Sequence, residues 1–412
     1  MEKGASDGTV LPGSRLGREA PWCVREETGT IVWEKMVAHT ASGLSDWGRQ
    51  LDTWRAAGIE LWAAIERPDG RVVDCLLDHG VVVYPVNPKA LDRARDRFRM
   101  SASKSDPFDS RVLAEFLRTD HAHLPPLKPS SVAAQELKLL TRAHTRLVRQ
   151  QTRTLHQLTS TLKDYYPRVL ELFNDLTTQR ALDFLQTYPT PATLTTLRLS
   201  QWKRFARQHR LGPAQTTEWW VQLKAPQVPV PEHVVRAKAR LVDVLLAQVL
   251  VTHRAVTDYQ AEIERFFGTL PAAEWRQTLP GGLSGTMIPR LWAELGDAPD
   301  RWASWNHLQA QAGTVPLTRQ SGKSCVVRFR VACNKHLRQA IWQLAFQSLR
   351  HSEWAKHYYQ RCRARGHQHN QALRALGAKW LKIIFRMWQH QVPYDEAYHL
   401  ANMTRQYLRA TA

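Results

Sequence analysis

Cysteine is scarce in this 412-residue chain, and none of the five (Cys23, Cys75, Cys325, Cys333 and Cys362) stands in a CxxC pair. That spacing argues against a zinc site and against a disulfide framework, and fits a reducing cytosol. Long apolar runs are missing too. No stretch of 18 apolar residues is present to span a membrane, and no apolar segment of signal-peptide type follows Met1. With 43% hydrophobic and 23% charged residues the chain has the composition of a folded protein, long enough for two or three domains.

Acidic residues are the other shortage. Lys and Arg number 57 against 37 Asp and Glu, a formal net charge of +20. From Arg319 to the end there are 17 basic residues and three acids (Glu353, Asp395 and Glu396), so this segment alone carries +14. A merely well-solvated basic surface is one reading. A field of this density more readily attracts a polyanion, and nucleic acid is the commonest soluble one.

Along the chain, residues 22–125 alternate short apolar runs with amphipathic stretches. Trp22 to Arg25 and Thr30 to Ala38 read as a hairpin, Ser42 to Ala57 as a helix stopped by Gly58, and Leu61 to Ile65 as a buried strand. A helix over Arg71 to Asp78, a strand over Val81 to Val86 and helices from Pro88 and Pro107 complete an α/β pattern. The proline-rich stretch Leu124 to Pro129 reads as a linker. Two long helical segments follow, one through Leu137, Leu147, Leu158 and Tyr165, the other through Leu241, Val249, Tyr259 and Phe266. Their three- and four-residue steps suit helices packed within one subunit or a coiled-coil contact between subunits. The expected organisation is 1–125, an α/β carboxylate domain; 126–270, a helical coiled-coil region; and 271–412, a mostly helical basic domain.

Three constellations bear chemistry. Glu66 ends the strand Leu61 to Ile65, where functional side chains of α/β sheets collect. Asp106 and Asp109 stand at i, i+3 around Pro107, with Asp106 placed to cap the helix that Pro107 begins. Three such oxygen donors suit Mg²⁺, and a plain cap plus a surface acid accounts for the same spacing. The second is Ser321, set between Arg319 and Lys323 with Arg328, Arg330, Lys335 and Arg338 following. Those cations would offset charge on a phosphodiester attacked by the serine hydroxyl, or the segment is a basic loop that clamps a phosphate. The third is the tail from His336 to Arg409, where Trp342, Trp354, Tyr358, Tyr359, Trp380 and Trp388 interleave with Lys and Arg. Most of these aromatics read as core, and the basic residues between them as phosphate contacts.

Taken together, the run VVVYPVNP from Val81, SKSDPFDSRVLAEFL from Ser103 and GTVPLTRQSGK from Gly313 resemble blocks of the DEDD-type transposases of the IS110 family and the related Piv-type DNA invertases. The resemblance extends from about Trp22 to Leu408. It implies an RNase H-like (RuvC-like) N-terminal domain whose four acids bind Mg²⁺, three of them Glu66, Asp106 and Asp109. It implies Ser321 as the nucleophile that forms a transient phosphoserine link to DNA. It further implies a coiled coil assembling dimers or tetramers, a structured guide RNA as partner beside DNA, and a cytoplasmic, nucleoid-associated protein.

One part of the pattern is missing. The family's first acid closes an opening apolar strand, and counting back from Cys23 lands on Ser14. Residues 1–21 hold four glycines, two prolines and no strand-like run, and Asp7 is out of register. A misplaced start, a frameshift or decay of this copy would each explain it. The expectation is a sheet one central strand short. The rival reading is a remnant that binds nucleic acid without cutting it.

Overall fold

The computed structural model describes residues 6–9, 19–68, 70–98, 105–274, 278–281, 285–298, 301–322 and 324–411, with the backbone alone for 6–9, 272–273 and 404–411. The chain divides into two compact units, Met1–Pro129 and Ser130–Ala412. The division falls at the end of the proline-rich linker.

The first unit is a five-stranded mixed sheet in the order β3-β2-β1-β4-β5. Its strands are β1 (Ser6–Thr9), β2 (Glu19–Glu26), β3 (Ile31–Ala38), β4 (Leu61–Ile65) and β5 (Val82–Pro85). β2 pairs antiparallel with both β1 and β3, while β4 runs parallel to β1 and β5. Helices α1 (Ala41–Ala56), α2 (Arg71–Asp78), α3 (Pro88–Asp96) and α4 (Asp106–Asp120) connect or follow the strands. The pleat sorts β4 between two cores. Leu61, Ala63 and Ile65 join Trp47 and Leu51 of α1 and Val73 and Leu76 of α2. Ala64 and Trp62 join Leu91 of α3 and Val112, Leu113 and Leu117 of α4. The unit is therefore a helix–sheet–helix sandwich, with α4 laid on the face away from α1.

The expected gap in the sheet is filled. Ser6–Thr9 forms the central strand, although Ser-Asp-Gly-Thr has little strand propensity. Backbone groups of β2 and β4 facing an empty slot need partners, and ladder bonds are indifferent to side chains. Asp7 lies level with Trp62, four residues short of Glu66, a separation of roughly 13 Å along the strand. Ser14 lies outside the described residues.

In the second unit, α5 (Val132–Tyr165) and α11 (Glu232–Gly268) form a long antiparallel pair. Lys238 bridges Asp164 at 2.7 Å, and Gln151 meets His253 at 3.0 Å. Between them come five short helices, α6 (Arg168–Leu172), α7 (Gln179–Thr187), α8 (Pro191–Thr196), α9 (Leu199–Gln208) and α10 (Pro213–Lys224). These close one core around Leu158, Leu162, Trp202 and Val249. At its other end the pair contributes Ala134, Leu137, Ile263 and Phe267 to a second core. That core is completed by α12 (Met287–Leu295), α13 (Trp305–Ala312), α14 (Lys335–His351), α15 (Glu353–Ala364) and α16 (His369–His390), with α17 (Glu396–Thr411) beside it. Residues 126–270 and 271–412 thus fall within one compact unit, because α5 and α11 contribute to the core that α12 to α16 complete. Between α13 and α14 stands a hairpin of β6 (Leu317–Ser321) and β7 (Ser324–Arg328). Among the described residues no helix is long and apolar enough to cross a membrane.

Candidate functional site

The three acids do not meet. Asp109 is fully buried, and its two oxygens accept from Arg95 of α3, at 2.5 Å from Nε and 2.9 Å from Nη2. Burial works against the Arg95 charge, but the hydrogen bonds and field of Asp109 outweigh it and raise the Arg95 pKa. Asp106 is exposed and is the first residue of α4, the cap position being held by Ser105. The i, i+3 spacing therefore separates a surface carboxylate from a buried one. Glu66 follows β4 and is half-buried. Among the described residues no three His, Cys, Asp or Glu side chains are placed to hold a metal ion. As arranged, Glu66, Asp106 and Asp109 do not fit the expected Mg²⁺ site, because a guanidinium already neutralises the acid nearest the core.

The serine segment is a hairpin, where a basic loop was expected. Ser321 pairs with Ser324 across the turn, Arg319 with Val326 and Leu317 with Arg328. Cross-strand partners share a face and alternate residues return to it. Ser321, Ser324, Arg319 and Arg328 therefore lie on one face, all of them exposed. Gly322 opens the turn with φ +54, a conformation glycine adopts without strain. The Ser321 hydroxyl makes no hydrogen bond, and Arg319 and Arg328 no ion pair, among the described residues. Lys323 lies outside the described residues.

The root of the hairpin is held by side-chain contacts. Phe329 sits between two guanidinium groups, Arg338 at 4.6 Å and Arg374 at 4.4 Å from its ring. Arg338 also donates to the carbonyl of Arg330 at 2.5 Å. Of the expected phosphate contacts, then, Arg338 is engaged in holding the hairpin, and Arg330 is half-buried beside it. Lys335 is exposed at the start of α14.

Below that start lies a buried polar group with no signal in the local sequence. Glu294 of α12 is 5% exposed and receives Arg142 of α5 at 2.7 and 3.0 Å and Asn334 at 2.7 Å. Burial would raise its pKa, yet the Arg142 and Asn334 hydrogen bonds prevail and hold it below the usual glutamate range. Asn334 meanwhile caps α14 by accepting from the backbone of His336 and Leu337. One carboxylate thus ties the long helix pair to the segment that carries the serine hairpin.

The hairpin and the α/β unit ahead of it coincide with two matched regions. A DEDD-type transposase model covers residues 18–167, and a model described as Transposase IS116/IS110/IS902 family covers residues 277–360. The class is transposase. The Streptomyces coelicolor mini-circle putative transposase for IS117 is 31% identical over 386 residues, 90% of this chain and 91% of that protein. The chain belongs to the IS110 family of insertion-sequence transposases. It is also similar to the insertion element IS900 42 kDa protein of Mycobacterium paratuberculosis, at 24% identity over 94% of this chain and 98% of that one. A putative transposase of Sinorhizobium fredii is 34% identical across 44% of this chain and 52% of its own length.

Proposed function

We propose that the chain is the DNA-rejoining enzyme of its insertion sequence and that Ser321 is its nucleophile. The observation that carries this is the shared face of the hairpin, where an exposed hydroxyl stands with two guanidinium groups that form no ion pair among the described residues. In the proposed step Ser321 Oγ bonds to a phosphodiester phosphorus as the bond from phosphorus to the leaving sugar oxygen breaks. The hydroxyl proton leaves to water, and the leaving oxygen takes one from water. Arg319, two residues from Ser321 on the same face, offsets the charge gathering on the phosphoryl oxygens, and Arg328, at the far end of that face, meets a neighbouring phosphate. Attack by a second strand's hydroxyl reverses the step and frees the serine. Asp109, as arranged, is withheld from this chemistry by Arg95.

The strand order 3-2-1-4-5, with β1 central, supports an RNase H-like reading of the first unit. Assembly into dimers or tetramers is supported by apolar residues left exposed on the long helices. Leu241, Val244 and Val251 follow three- and seven-residue steps on α11, and Val132 and Leu139 a seven-residue step on α5. The surplus positive charge suits a structured guide RNA as well as DNA. The disassembled acids favour the rival reading, a remnant that binds nucleic acid without cutting it. The test is the covalent adduct on a DNA substrate, trapped in denaturant. Ser321→Ala should abolish the adduct and leave DNA binding within about a few-fold, whereas Ser324→Ala should keep the adduct. Loss of the adduct in Ser324→Ala alone would reassign the nucleophile. No adduct in the unmodified chain would favour the remnant.

A further inference from the structure

A cavity of about 1480 Å³ lies between α15, α16 and the start of α17 and shares no residue with the serine hairpin. It exceeds the range of roughly 300–1,000 Å³ usual for small-molecule sites. Its walls are rings and apolar side chains: Trp354, Tyr358, Tyr394 and Tyr398, with Ile383 and Met387. Its rim is cationic. Lys379, Lys382 and Arg386 recur at three- and four-residue steps along α16, and Arg361 faces them from α15.

Lys382 lies 4.6 Å from the Trp305 ring. Arg361, Lys379, Lys382 and Arg386 form no ion pair among the described residues. Asp395 is the one acid lining the cavity, and it accepts from the backbone N–H of Tyr398 at 3.1 Å. Neighbouring Glu396 is taken up by the Tyr394 hydroxyl, by Ser352 and by the Glu353 backbone. Arg361 and Lys379 lie 5.5 and 5.8 Å from the Tyr358 ring. Tyr394 is fixed from behind, since Trp354 donates to its hydroxyl at 2.5 Å. Tyr398, also in the lining, is 54% exposed.

We infer that this groove binds a single-stranded segment of nucleic acid, with an unstacked base against the Tyr398 and Tyr358 rings and its phosphates along the cations of α16. A duplex hides its base faces in its own stack, so open aromatic walls are of use only to a strand whose bases are free. The cations suit a polyanion and give an apolar peptide helix nothing to match. The inference rests on the nucleic-acid reading of the chain, but not on Ser321.

The test uses the full chain with labelled oligothymidylate and oligouridylate of about 15 nucleotides and a duplex of the same length. Tyr398→Ala should weaken both single strands at least about fivefold and leave the duplex within about twofold, while Tyr398→Phe keeps single-strand affinity. Lys379→Gln with Arg386→Gln should flatten the single-strand salt dependence by about 1.4 in log–log slope. Unchanged single-strand affinity in Tyr398→Ala, or an equal loss on duplex, would overturn the inference. So would self-association that Tyr398→Ala abolishes without touching oligonucleotide affinity, which would give the groove to a second copy. The Ser321 adduct is scored in parallel. Adduct formation with unchanged single-strand affinity sinks the groove and leaves the serine standing. Selective single-strand loss in Tyr398→Ala, with no adduct in the unmodified chain, upholds the groove and counts against the serine.

Discussion

Asp109 and Ser321, the two residues on which the family pattern turns, sit in opposite surroundings. The carboxylate is fully buried and both its oxygens are bound to Arg95. The serine stands exposed at the end of a two-stranded hairpin, with guanidinium groups on its face that bind no carboxylate among the described residues. A charge taken from water needs its counterion inside the fold, whereas a neutral hydroxyl can wait for its partner to arrive with the substrate. The first unit is therefore electrically closed at its acid, and the second is open at its serine.

The sharpest way to break this comparison is to remove the counterion. Arg95→Ala leaves a buried carboxylate unpaired and should cost about 3–5 kcal/mol in the first unit. Arg95→Leu combined with Asp109→Leu should recover most of that loss, since replacing both partners by apolar groups strands no charge. Denaturant unfolding of the full chain, read from tryptophans of the first unit such as Trp22 and Trp47, measures both. A single variant within about 1 kcal/mol of the unmodified chain would mean that Asp109 is not held as described.

Much of the first unit was legible because its signals are local. The short apolar run of β4, Thr40 accepting from Gly43 at the start of α1 and Gly58 at φ +80 after its end are all written within a few residues of where they act. The partners that define the sites are not. Arg95 is 14 residues from Asp109 and on another helix, and Arg142 is 152 residues from Glu294. Ser-Asp-Gly-Thr carries no strand signal and becomes a strand because its neighbours leave a slot. The serine hairpin carries no strand signal because Leu-Thr-Arg-Gln-Ser and Ser-Cys-Val-Val-Arg bury neither face. Ser321 itself was legible only through the family block. That Arg319 and Arg328 share its face needs the pairing register.

A second, smaller effect separates the buried acid of the second unit from that of the first. Glu294 titrates below its unfolded value, so its pairing contributes stability that is complete above about pH 4.3 and lost as pH falls through its folded pKa. Glu294→Gln removes that dependence. The stability of the variant should fall less steeply than that of the unmodified chain between about pH 5 and 3. An unchanged slope would show that Glu294 is not ionised against Arg142.

The smallest effect tests the open side of the comparison. If many basic residues of the second unit contact phosphate, duplex binding should fall with a log–log salt slope of about −5 or steeper, because each neutralised phosphate releases counterions. Arg319 and Arg328 lie on the Ser321 face and form no ion pair among the described residues. Neutralising either one costs the fold nothing and removes about one phosphate contact. Arg319→Gln and Arg328→Gln should each flatten the slope by about 0.9, and the pair together should bring it near −3. Arg338 provides the contrast, because it is bound to the Arg330 carbonyl and the Phe329 ring. Arg338→Gln should loosen the hairpin and lower stability while changing the slope little. Equal slopes in all three variants would mean that the cations beside Ser321 do not meet phosphate. The openness of that face would then serve something other than DNA.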